Sequence, residues 1–407
     1  MMNNFDVIVV GGGASGFFTA INLAEQNPDL RIAILERSNE VLSKVKISGG
    51  GRCNVTHACF IPNVLAKFYP RGEKELKGPF HAFCTGDVME WFSERGVSLK
   101  IEEDGRVFPE LDNSQTIIDC FLNEAANFNI QIIKQTIVQQ LSKENDFWKI
   151  KTSKDTYQAK QLVMATGSNV KIWDLLKTVN HSIINPVPSL FTFNIKDDRI
   201  KDLMGVSTEM VSLKVKGSTL KANGPLLITH WGMSGPAILR LSAWGARELF
   251  DKNYQFQIIV NWTNDFVFDE VLEELMQLKQ SNPKKTIIKH AQYGLTNRLW
   301  QQLVKASMIS EDLIWADVSK KQLVNLAEQL TQSEFNVNGK STFKDEFVTA
   351  GGIDLKEVNF KTMESKLQDN LYFTGEILNI DAITGGFNFQ NAWTTGFLAA
   401  NAIAAKY

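Results

Sequence analysis

The stretch FDVIVVGGGASG, residues 5–16, limits what this chain can fold into more than any other. Residues 5–10 form a short, unbroken apolar run rich in β-branched residues, the pattern of a parallel strand buried on both faces. The run opens directly into glycines, and Gly11, Gly13 and Gly16 stand in G-x-G-x-x-G spacing. The first permits a tight turn, the second lets backbone approach a pyrophosphate, and the third lets a helix pack on the strand. Behind them, FFTAINLAEQN places Phe17, Ala20, Ile21 and Ala24 at helical spacing. A second apolar run, RIAILE, ends in Glu36, about twenty residues past the last glycine, where a carboxylate accepts the hydroxyls of an adenosine ribose. Strand, glycine turn, helix, strand and terminal acid together predict a dinucleotide site. Arg37, beside the acid, suits either a salt bridge to it or a contact with adenosine, and does not select NADP.

A second glycine loop follows in KISGGGRCNVTH, residues 46–57. No Lys-Ser/Thr pair follows its glycines, so it is not a P-loop. Gly49, Gly50 and Gly51 offer backbone N–H groups without a Cβ in the way, between the charges of Lys44 and Arg52. Such a loop suits a flavin dinucleotide, which lies extended and is contacted along its length. Residues 130–159 alternate in short runs, a small β-meander, and KQLVMATGS then reads as a strand closing in Ala165-Thr166-Gly167. That order resembles the glutathione-reductase-like FAD fold, and the resemblance implies that backbone near Val138 lies by the adenine. Near the end, the strand LYFTGE delivers Gly375 and Glu376, and Gly385-Gly386 opens a long helix of small residues, roughly 388–405. Its N-terminus carries partial positive charge suited to the pyrimidine end of a reduced flavin.

At 407 residues the chain exceeds one ordinary core, and two or three domains are expected. A net charge of −2 gives no basic footprint for nucleic acid. The four cysteines, Cys53, Cys59, Cys84 and Cys120, contain no C-x-x-C pair, and the five histidines have no metal spacing, so no metal site and no disulfide framework is expected. With no signal-peptide pattern and no apolar run long enough to span a bilayer, a cytoplasmic location is expected.

GGGASG, KISGGGRCN, EEDGRVFP, THWGMSGPAIL, VTAGGIDLKEV, TMESK and GEILNIDAITGGFNFQ occur in this order. In them the chain resembles the bacterial BaiN-like flavoproteins, NAD(P)/FAD-dependent oxidoreductases also described as aminoacetone-oxidase-like, over essentially its whole length. The resemblance implies an α/β fold: a glutathione-reductase-like, Rossmann-type FAD domain (1–190 and 341–407) interrupted by a small β-barrel (191–262) and a helical piece (263–340). Short alternating runs up to about residue 260 and helical runs from 268 to 335 agree with that insertion. Two places depart from the family pattern. Leu378-Asn379-Ile380-Asp381-Ala382 replaces Leu-Asp-Val-x-Gly, which passes any carboxylate role to Asp381, and His57 stands where the family often has Asn.

The expected cofactor contacts are therefore Gly11, Gly13, Ala14, Ser15 and Gly16 from the first loop, and Glu36 and Arg37 from the second strand. Lys44, Ser48, Gly49, Gly50, Gly51, Arg52, Cys53 and Asn54 follow from the second loop, then Val138 and Ala165, Thr166 and Gly167. Gly375, Glu376, Asp381, Gly386, Phe387 and Asn388 close the set. No catalytic residue is assigned. Cys53 reads as a small thiol packed beside a cofactor rather than a nucleophile, Phe387 and Phe389 as packing, and Glu102 to Asp104 as a solvated turn. His230 reads as a buried or capping histidine before a substrate contact. The function expected is an FAD-dependent oxidoreductase passing hydride through flavin N5, between NAD(P)H or an organic substrate and another acceptor. Only one fingerprint is present, so NAD(P)H enters, if at all, as a transient co-substrate. The partner expected is a small molecule, with neither nucleic acid nor membrane, and the oligomeric state stays open. A flavin-dependent RNA-modifying enzyme and a non-catalytic flavin sensor remain as alternatives.

Overall fold

The computed structural model describes residues 3–341 and 348–407. The chain divides into two compact units, Met1–Val187 with Thr349–Tyr407, and Pro188–Val348.

The first unit is built on a parallel sheet. Its central strand Asn3–Val10 pairs in parallel with Ile32–Leu35 on one side and Thr156–Met164 on the other. Gln131–Ile133 extends the sheet beyond Ile32–Leu35, and Leu371–Phe373 extends it beyond Thr156–Met164. Strand order therefore reverses at the first strand, the arrangement in which a crevice opens beyond the carboxyl ends of the strands. Two elements differ from the sequence expectation. Gln131–Ile133 joins the parallel sheet instead of the meander, which is made by Val138–Glu144, Phe147–Thr152 and the start of Thr156–Met164. Thr156–Met164 is also one continuous strand, antiparallel to the meander at its start and parallel to the first strand through its length. The apolar run 162–164 and the alternating run before it looked like separate strands because burial changes halfway along.

Helix Ala14–Gln26 packs against the C-terminal helix Phe387–Ala404. The close approach is set by Gly396, where an added Cβ would lie 3.0 Å from the Thr19 hydroxyl and 3.2 Å from the Ser15 carbonyl. Beside the contact, Trp393 gathers Phe18, Phe92 and Phe121 at ring separations of 5.2–6.0 Å, and its indole N–H donates to the Val55 carbonyl (2.9 Å). This aromatic core fixes the helix that begins at Gly386.

The second unit holds a seven-stranded antiparallel sheet together with helices Phe268–Ser281, Asn297–Ala306 and Lys320–Thr331. Residues 191–262 and 263–340 share one hydrophobic core, in which Phe193, Val260 and Trp262 pack with Trp300, Trp315 and Leu326. Strand Ser333–Asn338, within a segment that reads as helical in sequence, pairs with Gln255–Asn261. Its strict alternation of buried and exposed residues is the visible sign of that pairing.

Candidate functional site

A cleft of about 390 Å³ opens in the first unit at the carboxyl ends of the parallel strands. Four neighbouring strand ends supply its walls: Gly11 after Val10, Glu36 after Leu35, Ala165 after Met164, and Glu376 shortly after Phe373. The three fingerprint glycines prove to have different duties. A Cβ on Gly11 would lie 2.4 Å from the Ala165 carbonyl oxygen, and one on Gly16 would lie 2.0 Å from the Gly11 carbonyl oxygen. Both are packing glycines. A Cβ on Gly13 would meet no protein atom within 4 Å, so the backbone there faces the open cleft and not another part of the chain.

Glu36 holds the turn from the other side. One carboxylate oxygen accepts from the Gly12 N–H (2.8 Å) and the other from the Ser38 N–H (2.8 Å) and hydroxyl (2.7 Å). The segment leading to Val138 is tied to the same corner, because the Thr136 N–H donates to the Glu36 carbonyl (2.8 Å); Val138 itself is buried at the start of its strand. Arg37, Thr166 and Gly167 also line the cleft. Across it, the Lys44 ammonium pairs with the Glu376 carboxylate.

Among the helices that begin at this cleft, two long ones have no side-chain cap. Ala14–Gln26 starts after Gly13, and Phe387–Ala404 after Gly386. Their first-turn N–H groups lack intrahelical partners and carry the positive end of the helix dipole. Side-chain caps occur on the helices after Asn113 and Ser319 and, at the cleft itself, after Asn169, whereas the helices after Leu42, Gly72 and Gly235 also lack them. Ala14 and Ser15 line the cleft from the first helix, with the Ser15 hydroxyl donating to the Thr374 carbonyl (3.3 Å); Asn388 and Phe389 line it from the second. Gly375 packs on Ser15, where a Cβ would lie 2.7 Å from the serine oxygen.

The second glycine loop is built differently from a cleft wall. Helical residues from Ser43 are interrupted at Ser48 (ψ 149°), Gly49 (φ 57°) and Gly50 (φ 70°), and the bend is closed by the Cys53 N–H donating to the Ser48 carbonyl (2.9 Å). Gly49 is crowded by Phe108, whereas a Cβ on Gly50 or Gly51 would meet nothing. Asn54 joins this loop to the far end of the chain. Its amide oxygen accepts from the Gly386 N–H (3.0 Å), and its nitrogen donates to the Thr56 (2.9 Å) and Val107 (3.2 Å) carbonyls. Phe387 is buried, stacked on Phe68 (4.4 Å) and beside the His57 ring (4.6 Å), whose pKa burial lowers. The Asn388 amide oxygen accepts from the Ala382 N–H (3.0 Å).

Several expected contacts are engaged elsewhere. Arg52 donates to Glu102 (2.6 Å) and lies over the Phe108 ring (3.9 Å), so Glu102 is an ion-pair partner and not a purely solvated turn residue. Asp381 is buried and held in a two-pronged pair by Arg71. Burial pushes the Cys53 thiol up to about 12, which removes it as a nucleophile. His230 is exposed rather than buried. The structure adds lining residues that the sequence reading passed over: Gly12, Ser38, Asn169 and Phe389. Asn169 was detectable as the cap before the apolar pattern VKIWDLL. Phe389 does stack on Trp393 (5.5 Å) as packing requires, yet it also faces the cleft.

The cleft fits an extended dinucleotide. Backbone is exposed at Gly13, an acid stands at the Glu36 corner, and a second uncapped helix begins at the other side. With the parallel sheet and its appended meander, these features define a Rossmann-type flavoprotein fold of the oxidoreductase class. The chain belongs to the HI0933-like protein Rossmann domain family, which it matches over residues 5–402. It is 27% identical over 414 residues to the ribosomal RNA dihydrouridine synthase of Haemophilus influenzae, covering 98% of each chain. It is 25% identical over 409 residues to the 3-dehydro-bile acid delta(4,6)-reductase of Clostridium scindens, again covering 98% of each, in keeping with the BaiN-like resemblance. Among solved structures, the 3-ketosteroid-delta4-(5alpha)-dehydrogenase of Rhodococcus jostii RHA1 shares the fold, with a TM-score of 0.54 and 14% identity over 99% of this chain and 97% of that one. Among the described residues no helix is long and apolar enough to cross a membrane.

Proposed function

We propose that this protein is an FAD-dependent reductase of carbon–carbon double bonds conjugated to a carbonyl group. The observation that carries the reading is the cleft, with its exposed Gly13 backbone and two uncapped helix N-termini. In this reading the N–H groups at Gly13 and Ala14 hold the pyrophosphate, and Glu36 holds the adenosine ribose. The N–H groups from Phe387 onward stabilise negative charge at the pyrimidine end of the ring. Gly50 and Gly51, where an added Cβ would meet no protein atom within 4 Å, leave room for the ring, and Asn54 and Gly386 fix the two glycine loops to each other. Bound FAD supplies a site, N5, that takes a hydride from a reduced donor and returns it to a substrate.

The substrate class is supported by the relatives. A dihydrouridine synthase and a delta(4,6)-reductase, by their names, both saturate ring double bonds conjugated to a carbonyl. Hydride adds at the carbon β to the carbonyl, a proton from solvent adds at the α carbon, and the pair of electrons comes from NAD(P)H, which leaves as NAD(P)+. Because the chain carries one fingerprint, the nicotinamide is a transient visitor. A net charge of −2 favours a free small molecule over uracil within RNA, since RNA backbone contacts rest on cationic surface.

Anaerobic mixing of the holoprotein with NADH or NADPH should bleach the flavin, and a conjugated enone should then restore the oxidised spectrum with formation of the saturated product. Failure of any conjugated enone or uridine-containing RNA to reoxidise the reduced protein, while oxygen does so, would replace this reading with that of an oxidase.

A further inference from the structure

The segment that leads out of the second glycine loop is tied, residue by residue, to the start of helix Phe387–Ala404. Asn54 accepts from the Gly386 N–H (3.0 Å), and the Val55 carbonyl accepts from the Trp393 indole (2.9 Å). The Thr56 carbonyl oxygen would lie 2.4 Å from a Cβ on Gly386. His57 is next in the series. Its ring lies beside Phe387 (4.6 Å) and Phe68 (6.0 Å), and its Nδ1 would be 3.4 Å from a Cβ on Gly385. That nitrogen is buried and makes no well-formed hydrogen bond. The backbone is held by strand pairing of His57 with Arg106 and by the Thr85 hydroxyl, which donates to the His57 carbonyl (3.0 Å). A phenyl ring would complete this aromatic stack equally well. The imidazole adds a group that can carry a proton.

Burial lowers the pKa of the ring; the Gly385 backbone and the Asp104 carboxylate act the other way, and Arg106 acts with burial. Arg106 is itself paired with Asp104 (2.7 Å) and Glu102 (3.1 Å), so the charges of that hairpin offset one another. Around the rest of the ring the titratable neighbours are uncharged near neutral pH or engaged. Burial raises the Tyr69 hydroxyl, which donates to the Phe387 carbonyl (2.5 Å), and it raises the Cys59 and Cys84 thiols. Asp87 accepts from the Cys84 N–H (2.6 Å) at the start of its own helix. The start of helix Phe387–Ala404 adds partial positive charge, which also disfavours an imidazolium. His57 is therefore held neutral by surroundings that a nearby negative charge would reverse.

We propose that His57 is a charge-compensating residue of the flavin site, taking up a proton when negative charge gathers at the start of helix Phe387–Ala404 on reduction. The inference rests on the reading that places the pyrimidine end of FAD at that helix start. Two electrons and one proton leave reduced FAD with one negative charge. A second proton from solvent goes to the His57 imidazole, so two electrons and two protons enter and the charge of the site is unchanged. His57 is not part of the cleft wall, and it acts through its charge and not by touching substrate.

NMR of the histidine ring protons in the holoprotein tests this, by pH titration before and after reduction with dithionite. Of the five histidines, His57 is the signal missing from His57→Phe, which keeps the ring stack, and from His57→Gln, which keeps a polar group. Its proton affinity should rise about tenfold on reduction, the effect of an opposite charge nearby, while the other four signals are unmoved. By reciprocity, wild-type flavin should be easier to reduce than His57→Phe flavin by the same factor, about 30 mV for two electrons. That difference should be full below both pKa values of the ring and absent above them. An unchanged His57 titration on reduction would overturn the proposal. So would a potential difference equal at every pH, the signature of packing alone. Dithionite stands in for NAD(P)H and no enone is used, so failure of the reductase reading shows separately, as reduced flavin that no enone reoxidises.

Discussion

Replacing Gly13 by valine separates the two duties that the fingerprint glycines share. Gly13 has φ −96° and ψ −170°, extended backbone that any residue adopts, and an added Cβ would meet no protein atom within 4 Å. Valine there should cost the free chain only the weaker helix cap, about 1 kcal/mol. A pyrophosphate held against that backbone would lose at least one charge-assisted hydrogen bond, about 1.5–3 kcal/mol. That corresponds to a Kd for FAD raised about 10- to 150-fold. Gly16→Ala is the matching control, because its Cβ would fall 2.0 Å from the Gly11 carbonyl oxygen and must distort strand or helix. Stripped apoprotein of each variant, retitrated with FAD and followed by flavin fluorescence and by thermal melting, reads both effects. Gly13→Val should melt close to the wild-type apoprotein and bind FAD weakly, while Gly16→Ala should lose stability and binding together. A Gly13→Val protein with wild-type affinity for FAD would refute the assignment of that backbone to the pyrophosphate.

Other expectations concern groups the structure buries. Native protein treated with a thiol reagent near neutral pH should leave Cys53 and Cys120 unmodified, since burial pushes both thiols up to about 12; mass-spectrometric labelling of Cys53 before unfolding would contradict this. His181 lies between the Glu357 carboxylate (2.9 Å) and the Ser365 hydroxyl (3.0 Å), and its pKa is lowered, chiefly by burial. The unfolded chain therefore takes up a proton first, so this stability is whole above about pH 6.5 and is lost as pH falls below that value. His181→Gln should flatten the decline of Tm across that acid range, and an unchanged slope would remove His181 as its source. Arg71→Ala breaks a buried pair with Asp381 and should cost about 3–5 kcal/mol in chemical denaturation, with Asp381→Asn in the same chain recovering part of the loss. No recovery would mean that the charge of Asp381 is not the source of the penalty.

What could be read from sequence was what is local. The strand at 5–10, the glycine spacing and the acid at 36 lie within one βαβ unit, so period and spacing were enough to identify them. The helix expected at roughly 388–405 runs from Phe387 to Ala404 because Gly385-Gly386 marks its start. Partner choice across long sequence distances was not legible. Asp381 offered a carboxylate near the cofactor motif, but its partner Arg71 lies 310 residues away and nothing in either local pattern announces it. Arg52 is likewise claimed by Glu102 from a hairpin 50 residues on. Asn54 and Gly386 were both named as cofactor contacts, and their direct hydrogen bond became visible only in the folded chain.

The central claim is that the cleft between Gly13, Glu36 and Glu376 is an FAD site, and the most direct measurement is the cofactor content of the purified chain. Heat-released flavin, identified by chromatography and quantified against protein, should be FAD in equimolar amount, with an oxidised flavin band in the visible spectrum before release. A colourless chain that takes up no FAD on incubation, while folded by circular dichroism, would contradict the account at its base.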